Sequence, residues 1–237
     1  MKPYYEEPGI QLYQGDNREV LAALGIRPED VALLWGDPPY GIDLQPHAVS
    51  RGGKSGKRCA SNTWAPITGD AEPFDPEPWL RFPRLVLWGA NHYADRLPAS
   101  AAWWTWDKTG GGKMFDQNSD AELAWVCLGD TASVRVFHHL WKGLATESEK
   151  GRLASGRVTN TARVHPTQKP EALASWGFQR AGLKAGDLVL SPWLGSGPEA
   201  AAAKRLGLRF VGIELVPEYL DACVDRLRQG VLFAEGA

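Results

Sequence analysis

The chain has 237 residues, of which 43% are hydrophobic and 23% are charged. These values are typical of a folded globular protein, and they exclude a disordered chain or a coiled coil. The formal net charge of −2 excludes a uniformly basic DNA-coating protein but allows a local basic patch. The length suits one α/β domain, so we predict that residues 1–237 form a single domain.

The cysteines and the apolar segments indicate the expected compartment. The 3 cysteines lie far apart without a C-x-x-C pair, so we expect neither a disulfide framework nor a zinc site. No basic and apolar leader opens the sequence, and no apolar run reaches the roughly 20 residues of a membrane helix. We therefore expect a cytoplasmic protein with no bound metal and no membrane partner.

Strand and helix patterns alternate along most of the chain. The predicted strands are 10–14, 31–35, 84–88, 101–106, 121–127, 133–139, 187–191 and 209–214. The predicted helices are 17–24, which Asp16 or Asn17 caps, 91–97, 170–181, 198–206 and 217–228. Two stretches without periodicity, about 41–78 and 142–164, are predicted to be irregular insertions. The alternation predicts an α/β fold with a doubly wound, mostly parallel sheet and with ligands at the carboxyl ends of its strands.

A glycine turn follows the predicted strand 187–191. Gly195 and Gly197 would let a ligand approach the backbone, and Pro198 suits the first turn of a helix. The turn lacks a complete G-x-G-x-x-G or G-K-[ST] motif, so alone it indicates a nucleotide site only weakly. Glu214 ends the next strand, 17 positions after Gly197, where a carboxylate can accept both hydroxyls of a ribose. A solvated acid at a strand end is the alternative for Glu214.

The tetrapeptide Asp37-Pro38-Pro39-Tyr40 follows the predicted buried strand 31–35. Its prolines enforce a rigid, extended turn, in which the Asp37 carboxylate and the Pro38 carbonyl can both accept hydrogen bonds from an exocyclic amine. Tyr40 can stack on the ring that carries this amine. Such contacts would direct the lone pair of the amine toward an electrophilic methyl group, a reaction that depends mainly on positioning. A plain proline turn is the alternative.

These motifs resemble those of the amino-methylating DNA methyltransferases, which transfer a methyl group from S-adenosylmethionine to adenine N6 or cytosine N4. Their tetrapeptide is D/N/S-P-P-Y/F, and DPPY is more typical of the adenine enzymes. The tetrapeptide precedes the glycine turn, as in the circularly permuted beta-type order, which implies the seven-stranded, Rossmann-like methyltransferase sheet. Further similar segments are Tyr13 to Asp16, Trp88 to Tyr93, Trp106 to Lys108, His165 to Pro170 and Gly195 to Glu214.

The resemblance also implies a role for each site residue. The catalytic residues would be Asp37, Pro38, Pro39 and Tyr40. Glu214 would bind the cofactor ribose, and Asp16 would bind the adenine amine of the cofactor. The methionine end would lie in the turn formed by Trp193, Leu194, Gly195, Ser196 and Gly197, and its carboxylate would lie near Thr167, Gln168 and Lys169.

The chain departs from the family pattern D-P-F-x-G-S-G-T at two positions. Ser191 stands where the family has an acid near the methionine ammonium, and Pro198 lacks a hydroxyl and a backbone N–H. Loss of that carboxylate would weaken cofactor binding ten- to a hundredfold, or about 1.5 to 3 kcal/mol. On this basis Ser191→Asp is expected to tighten S-adenosylmethionine binding. A pocket that has adapted to Ser191 would instead be destabilised by the new carboxylate.

Double-stranded DNA is the implied partner, and a homodimer is compatible with the sequence. Arg51, Lys54, Lys57 and Arg58 form a basic loop that is expected to contact phosphates, although a solvated loop is the alternative. The stretch 142–164 is a second candidate for DNA contact. The resulting prediction is an adenine-N6 DNA methyltransferase; the alternatives are a cytosine-N4 enzyme and a degenerate methylase fold that binds DNA without catalysis.

Overall fold

A computed structural model describes residues 1–43, 67–112, 119–129, 132–142, 145–146, 150–152, 158–160 and 168–229. Its main sheet contains the strands β1 (Tyr5–Glu7), β2 (Ile10–Gln14), β3 (Leu33–Gly36), β4 (Leu85–Trp88), β5 (Trp103–Asp107), β6 (Ala121–Cys127), β7 (Val134–His138), β12 (Leu188–Ser191) and β13 (Arg209–Glu214). The helices are α1 (Asn17–Leu24), α2 (Glu171–Arg180), α3 (Pro198–Arg205) and α4 (Pro217–Gln229). Four short strands between 141 and 160 lie outside this sheet: β8 (Trp141–Lys142), β9 (Ala145–Thr146), β10 (Lys150–Arg152) and β11 (Val158–Asn160).

The strand order of the sheet is β1-β2-β13-β12-β3-β4-β6-β5-β7. The five neighbours from β2 to β4 are all parallel, whereas β6 runs antiparallel to both β4 and β5. This arrangement confirms the predicted doubly wound, mostly parallel sheet. The sheet has nine strands, two more than the seven that the resemblance implies, and β1 is the one strand of this sheet that the sequence did not predict. The parallel carboxyl ends of β2, β13, β12 and β3 meet at one edge, and this edge positions the site.

The sheet is covered on both faces, which explains the continuous apolar composition of its central strands. Leu33 and Trp35 belong to one buried cluster, whereas Leu34 between them belongs to another. The first cluster includes residues of α2, α3 and α4, and the second includes residues of α1. Alternate side chains of one strand therefore pack against helices on opposite faces.

The prediction of a helix at 91–97 is wrong. The chain forms two single 3₁₀ turns there, Ala90–His92 and Ala94–Arg96. Tyr93 lies between them with φ −139°, outside the helical region, and its hydroxyl donates a hydrogen bond of 2.6 Å to the carbonyl of Trp88. This buried contact ties Tyr93 to the end of β4 and interrupts the helix.

The prediction that 142–164 is irregular is also wrong where the structure describes this stretch. Strand β8 pairs with β9, and β10 pairs with β11, in two antiparallel ladders. Each of these strands has only two or three residues. Alternation of apolar and polar residues needs about four residues or more to be recognised in a sequence, so such short strands leave no signal.

None of the helices in the described ranges is long and apolar enough to span a membrane. Within the same ranges, no three His, Cys, Asp or Glu side chains are grouped so that they could hold a metal ion.

Candidate active site

A cavity of about 540 Å³ lies at the carboxyl edge of the parallel strands, within the usual size of a small-molecule site. Its lining includes most of the predicted site residues: Asp16, Asp37, Pro38, Pro39, Tyr40, Gln168, Lys169, Trp193, Leu194, Gly195, Ser196 and Glu214. Ser191 and Gly197 lie just behind this wall. Thr167 and the basic residues Arg51, Lys54, Lys57 and Arg58 lie outside the described residues. One edge of the sheet thus brings together segments that are far apart in sequence.

The glycine turn is packed closely against α4. Gly197 has φ +67°, and a Cβ placed on it would lie 2.1 Å from the Cys223 Sγ. Any side chain at this position would therefore collide with α4. Trp193 points to the opposite side, where its ring packs against Trp79 at a centroid distance of 4.4 Å and against Phe74 at 5.4 Å. These three rings form an aromatic wall of the cavity.

Glu214 connects the loops that follow β12 and β13. Its Oε2 accepts a hydrogen bond of 2.8 Å from the Gly195 N–H, and its Oε1 accepts one of 2.9 Å from the Val216 N–H. Burial raises the pKa of its carboxyl, although these N–H donors oppose the shift. The carboxylate thus shapes the glycine turn from within the cavity, and each of its oxygens retains a further lone pair for a ligand.

Asp16 lies beside Glu214 because β2 and β13 are parallel neighbours, paired at Gln14 and Glu214. Its Oδ1 caps α1 by accepting hydrogen bonds from the N–H groups of Arg18 and Glu19, at 2.9 and 3.3 Å. The side chain is exposed at the mouth of the cavity. The predicted cap is confirmed, and its two backbone contacts hold the carboxylate in place.

The centre of the site is a contact between the predicted tetrapeptide and Lys169. The Tyr40 hydroxyl donates a hydrogen bond of 2.7 Å to Asp37 Oδ1, and the Lys169 Nζ lies 2.5 Å from Asp37 Oδ2. Lys169 also lies 3.2 Å from Glu122 Oε2 and donates a hydrogen bond of 3.1 Å to the Tyr40 oxygen. Both oxygens of Asp37 are therefore oriented by donors.

Two carboxylates thus share the ammonium of Lys169, and their pKa values move in opposite directions. Burial and then the charge of Glu122 raise the pKa of Asp37, against the effect of Lys169. Burial also acts to raise the pKa of Glu122, but Lys169 and Lys108 together lower it. The Lys169 pKa rises because both carboxylates outweigh its burial. The site thus favours the protonated form of Asp37 and the ionised form of Glu122.

The Tyr40 ring occupies a space that only glycine permits. A Cβ on Gly89 would lie 2.0 Å from the Tyr40 ring, and Gly89 has φ +70°, which side chains disfavour. The His92 imidazole stacks on the Tyr40 ring with a centroid distance of 5.1 Å and an interplanar angle of 13°. The segment after β4 therefore supports the tetrapeptide, and His92 covers one face of Tyr40.

Lys169 makes a different contact from the predicted one. We expected it near a methionine carboxylate, but its ammonium pairs with Asp37 and Glu122 and is only 7% exposed. Sequence reasoning missed Glu122, which lies in the apolar strand β6. A charged residue within such a strand is a signal that could have found it, since buried charges are usually paired.

Glu199 is the second residue that sequence reasoning missed. It lies in the first turn of α3, lines the cavity and is only 5% exposed. The buried Ser191 hydroxyl donates a hydrogen bond of 2.8 Å to its Oε1. Burial raises the pKa of the Glu199 carboxyl to about 7. Ser191 stands where the family has a strand-end acid. Its hydroxyl is thus bonded to a carboxylate that lies eight positions later in the chain.

Several known proteins are similar to this chain in sequence. A family model described as DNA methylase matches residues 116–225. The type II methyltransferase M2.LlaDCHI of Lactococcus lactis subsp. cremoris is 29% identical over 258 residues, covering 98% of this chain and 94% of that protein. The type II methyltransferase M2.DpnII of Streptococcus pneumoniae is 28% identical over 252 residues, covering 95% of this chain and 92% of that protein.

Solved structures share the fold. The M1.HpyAVI–SAM complex has a TM-score of 0.51 at 20% identity and covers 92% of this chain and 100% of its own. The PvuII DNA methyltransferase (cytosine-N4-specific) has a TM-score of 0.60 at 16% identity, with 95% and 88% covered. The fold is that of the Rossmann-like methyltransferases. The matched residues 116–225, the two relatives and the motifs support an amino-methylating (N6/N4) DNA methyltransferase, and S-adenosylmethionine is the methyl donor of that family.

Proposed function

We propose that this protein transfers a methyl group from S-adenosylmethionine to the N6 amine of adenine in double-stranded DNA. The observation that carries the proposal is the orientation of Asp37, whose two oxygens are held by Tyr40 and Lys169 at the edge of the cavity. The choice of adenine rests on the acidic form of the tetrapeptide, Asp37 to Tyr40.

The cavity suits S-adenosylmethionine in size and in its polar groups. The Glu214 and Asp16 carboxylates at one side can accept hydrogen bonds from the ribose hydroxyls and from the adenine amine, respectively. The aromatic wall of Trp193, Trp79 and Phe74 offers apolar surface for the rest of the molecule. When bound, S-adenosylmethionine supplies a methyl group on a positively charged sulfur.

Asp37 is placed to act on the target amine. An exocyclic NH₂ is a double donor, and the Asp37 carboxylate with the Pro38 carbonyl can accept both of its hydrogen bonds. Methylation leaves a positive charge on the nitrogen, and a carboxylate with a raised pKa is suited to receive the released proton. Tyr40 keeps the carboxylate in position through its hydroxyl and offers a ring face to the base. A target base must leave the duplex to reach this depth.

The direct test is tritium transfer from labelled S-adenosylmethionine to mixed-sequence double-stranded DNA, followed by analysis of the nucleosides. We expect label in N6-methyladenine. Label in N4-methylcytosine would refute the adenine assignment while leaving the role of Asp37 intact. Absence of transfer, with DNA binding retained, would favour a scaffold that binds DNA without catalysis.

Glu214→Ala is expected to weaken S-adenosylmethionine binding more than it slows saturated turnover, because ribose contacts are similar in the ground state and the transition state. Loss of two hydrogen-bond acceptors for a ligand is worth about tenfold or more in dissociation constant. Calorimetry measures the affinity. Glu218→Ala is the matched control, since Glu218 is exposed four positions later and lies outside the cavity lining. Equal affinities for the two variants would contradict the ribose assignment.

The insertions 41–78 and 142–164 are proposed to contact DNA, and the basic loop in the first can be tested directly. Neutralising its four cations should weaken DNA binding and reduce the slope of log affinity against log salt by up to about 3.6, at about 0.9 per phosphate contact. The variant replaces Arg51, Lys54, Lys57 and Arg58.

A matched control neutralises four exposed cations. They lie at the edge of the sheet opposite to the cavity or on the helices near that edge. These are Arg180, Lys184, Arg209 and Arg228. The control should leave the salt slope near that of the wild type. If the loop variant and the control give equal slopes, the loop is merely solvated and the stretch 142–164 becomes the next segment to neutralise.

A further inference from the structure

We propose that Glu199 binds the α-ammonium of the methionine end of S-adenosylmethionine. It would do so in place of the strand-end acid of the family, at whose position this chain has Ser191. This inference rests on the proposed function, because it assumes the same ligand. It deepens that function by assigning the missing charge partner to a residue on α3 rather than on β12.

The geometry of the pair explains how the two residues would work together. Ser191 is fully buried at the last position of β12, and its hydroxyl donates to Glu199 Oε1. This bond fixes the carboxylate and leaves lone pairs of both oxygens available to a second donor. Glu199 is 95% buried and lies in the cavity wall beside Pro198 and Ser196.

The charges around Glu199 indicate a cationic ligand. Among the described residues, the salt bridges found involve no cation paired with Glu199. Within the described ranges, Lys169 is the one cation that lowers the pKa of Glu199, but the Lys169 ammonium is paired with Asp37 and Glu122. The other groups that face it are its own backbone N–H and the Ser191 hydroxyl, which lower its pKa, Asp37, which raises its pKa, and, from α4, the neutral Cys223 thiol. Buried carboxylates are normally paired with a cation, so a carboxylate that lines a cavity and has only hydrogen-bond donors as partners fits an ammonium.

The experiment compares two ligands by calorimetry on the wild type and on Glu199→Gln. The glutamine is isosteric and can still accept the Ser191 hydrogen bond, so the pocket keeps its shape. S-adenosylmethionine should bind ten- to a hundredfold more weakly to the variant. 5′-Methylthioadenosine, which lacks the amino-acid part, should bind both proteins equally, within about twofold.

A proton measurement gives an independent readout. At about pH 6 most of the Glu199 carboxyl is protonated, and the α-amino group of the ligand is charged. Binding of the ammonium favours the carboxylate, so the wild type should release up to about 0.9 proton per ligand at this pH, whereas Glu199→Gln should release none from this site. Binding enthalpies in buffers of different ionisation enthalpy report this number.

A charge exchange completes the test. Ser191→Asp alone places a second carboxylate against Glu199 and should lower the melting temperature without improving affinity. The double variant Ser191→Asp/Glu199→Gln should bind S-adenosylmethionine within about tenfold of the wild type, because it retains one carboxylate. Unchanged affinity in Glu199→Gln, or an equal loss for both ligands, would overturn the inference alone. Failure of the wild type to bind S-adenosylmethionine would overturn the proposed function itself.

Discussion

Asp37→Ala should reduce the turnover number for methyl transfer at least a hundredfold, equivalent to about 2.7 kcal/mol of activation free energy. The variant loses the acceptor that orients the target amine and receives its proton, and no other described carboxylate contacts the Tyr40 hydroxyl. S-adenosylmethionine affinity should change less than about threefold, because the ribose and methionine contacts lie elsewhere in the cavity. The fold should persist, since Lys169 keeps Glu122 as its partner.

Single-turnover assays with saturating DNA and cofactor separate this effect from binding. Tyr40→Phe is the graded control, because it keeps the aromatic ring but removes the hydroxyl that donates to Asp37. We expect its loss of turnover to lie between the wild type and Asp37→Ala. Turnover of Asp37→Ala above about a tenth of the wild-type value, a loss under about 1.4 kcal/mol, would exclude Asp37 as the catalytic carboxylate.

The regular part of the fold could be predicted because its signals are local. Strands such as Leu85–Trp88 and Leu188–Ser191 are apolar runs closed by turn residues, and α1 has its cap at Asp16. The segment 91–97 could not be predicted in the same way, since the bond from Tyr93 to Trp88 is a tertiary contact that overrides helical spacing. The ladders between 141 and 160 are too short to show a period.

Some residues of the candidate site could likewise be predicted from local sequence signals, and others could not. Asp37, Tyr40 and Glu214 are recognisable because motif and strand end coincide in the sequence. Glu122 and Glu199 are not, because their importance comes from burial beside partners that the fold supplies, Lys169 for the first and Ser191 for the second. The missing acid at Ser191 looked like a lost contact in one dimension. In three dimensions the Ser191 hydroxyl lies 2.8 Å from the Glu199 carboxylate.

Lys169→Met should lower the free energy of unfolding by about 3 kcal/mol near pH 8, the lower end of the effect of breaking a buried ion pair. The lower end applies because the side chains of Asp37 and Glu122 are 22% and 24% exposed, so water screens part of their repulsion. The methionine fills the space of the lysine stem but leaves two neighbouring carboxylates without their shared ammonium. Denaturant unfolding measures the change.

The pH dependence distinguishes this electrostatic cause from a packing defect. In Lys169→Met the folded-state pKa of Asp37, which is already raised, should rise further, and that of Glu122 should rise above its unfolded value of about 4.3. A carboxyl whose pKa is higher in the folded than in the unfolded state destabilises the fold increasingly as pH rises through these two pKa values. The loss of unfolding free energy in Lys169→Met should therefore shrink as the pH is lowered toward about pH 5.

Adding Glu122→Gln to Lys169→Met should recover part of the loss of unfolding free energy near pH 8. Lys108→Met is the control, because Lys108 contacts Glu122 at 3.2 Å but not Asp37, and we expect a smaller deficit from it. A deficit in Lys169→Met that is independent of pH and of Glu122 would mean that Lys169 stabilises the site by packing rather than by charge.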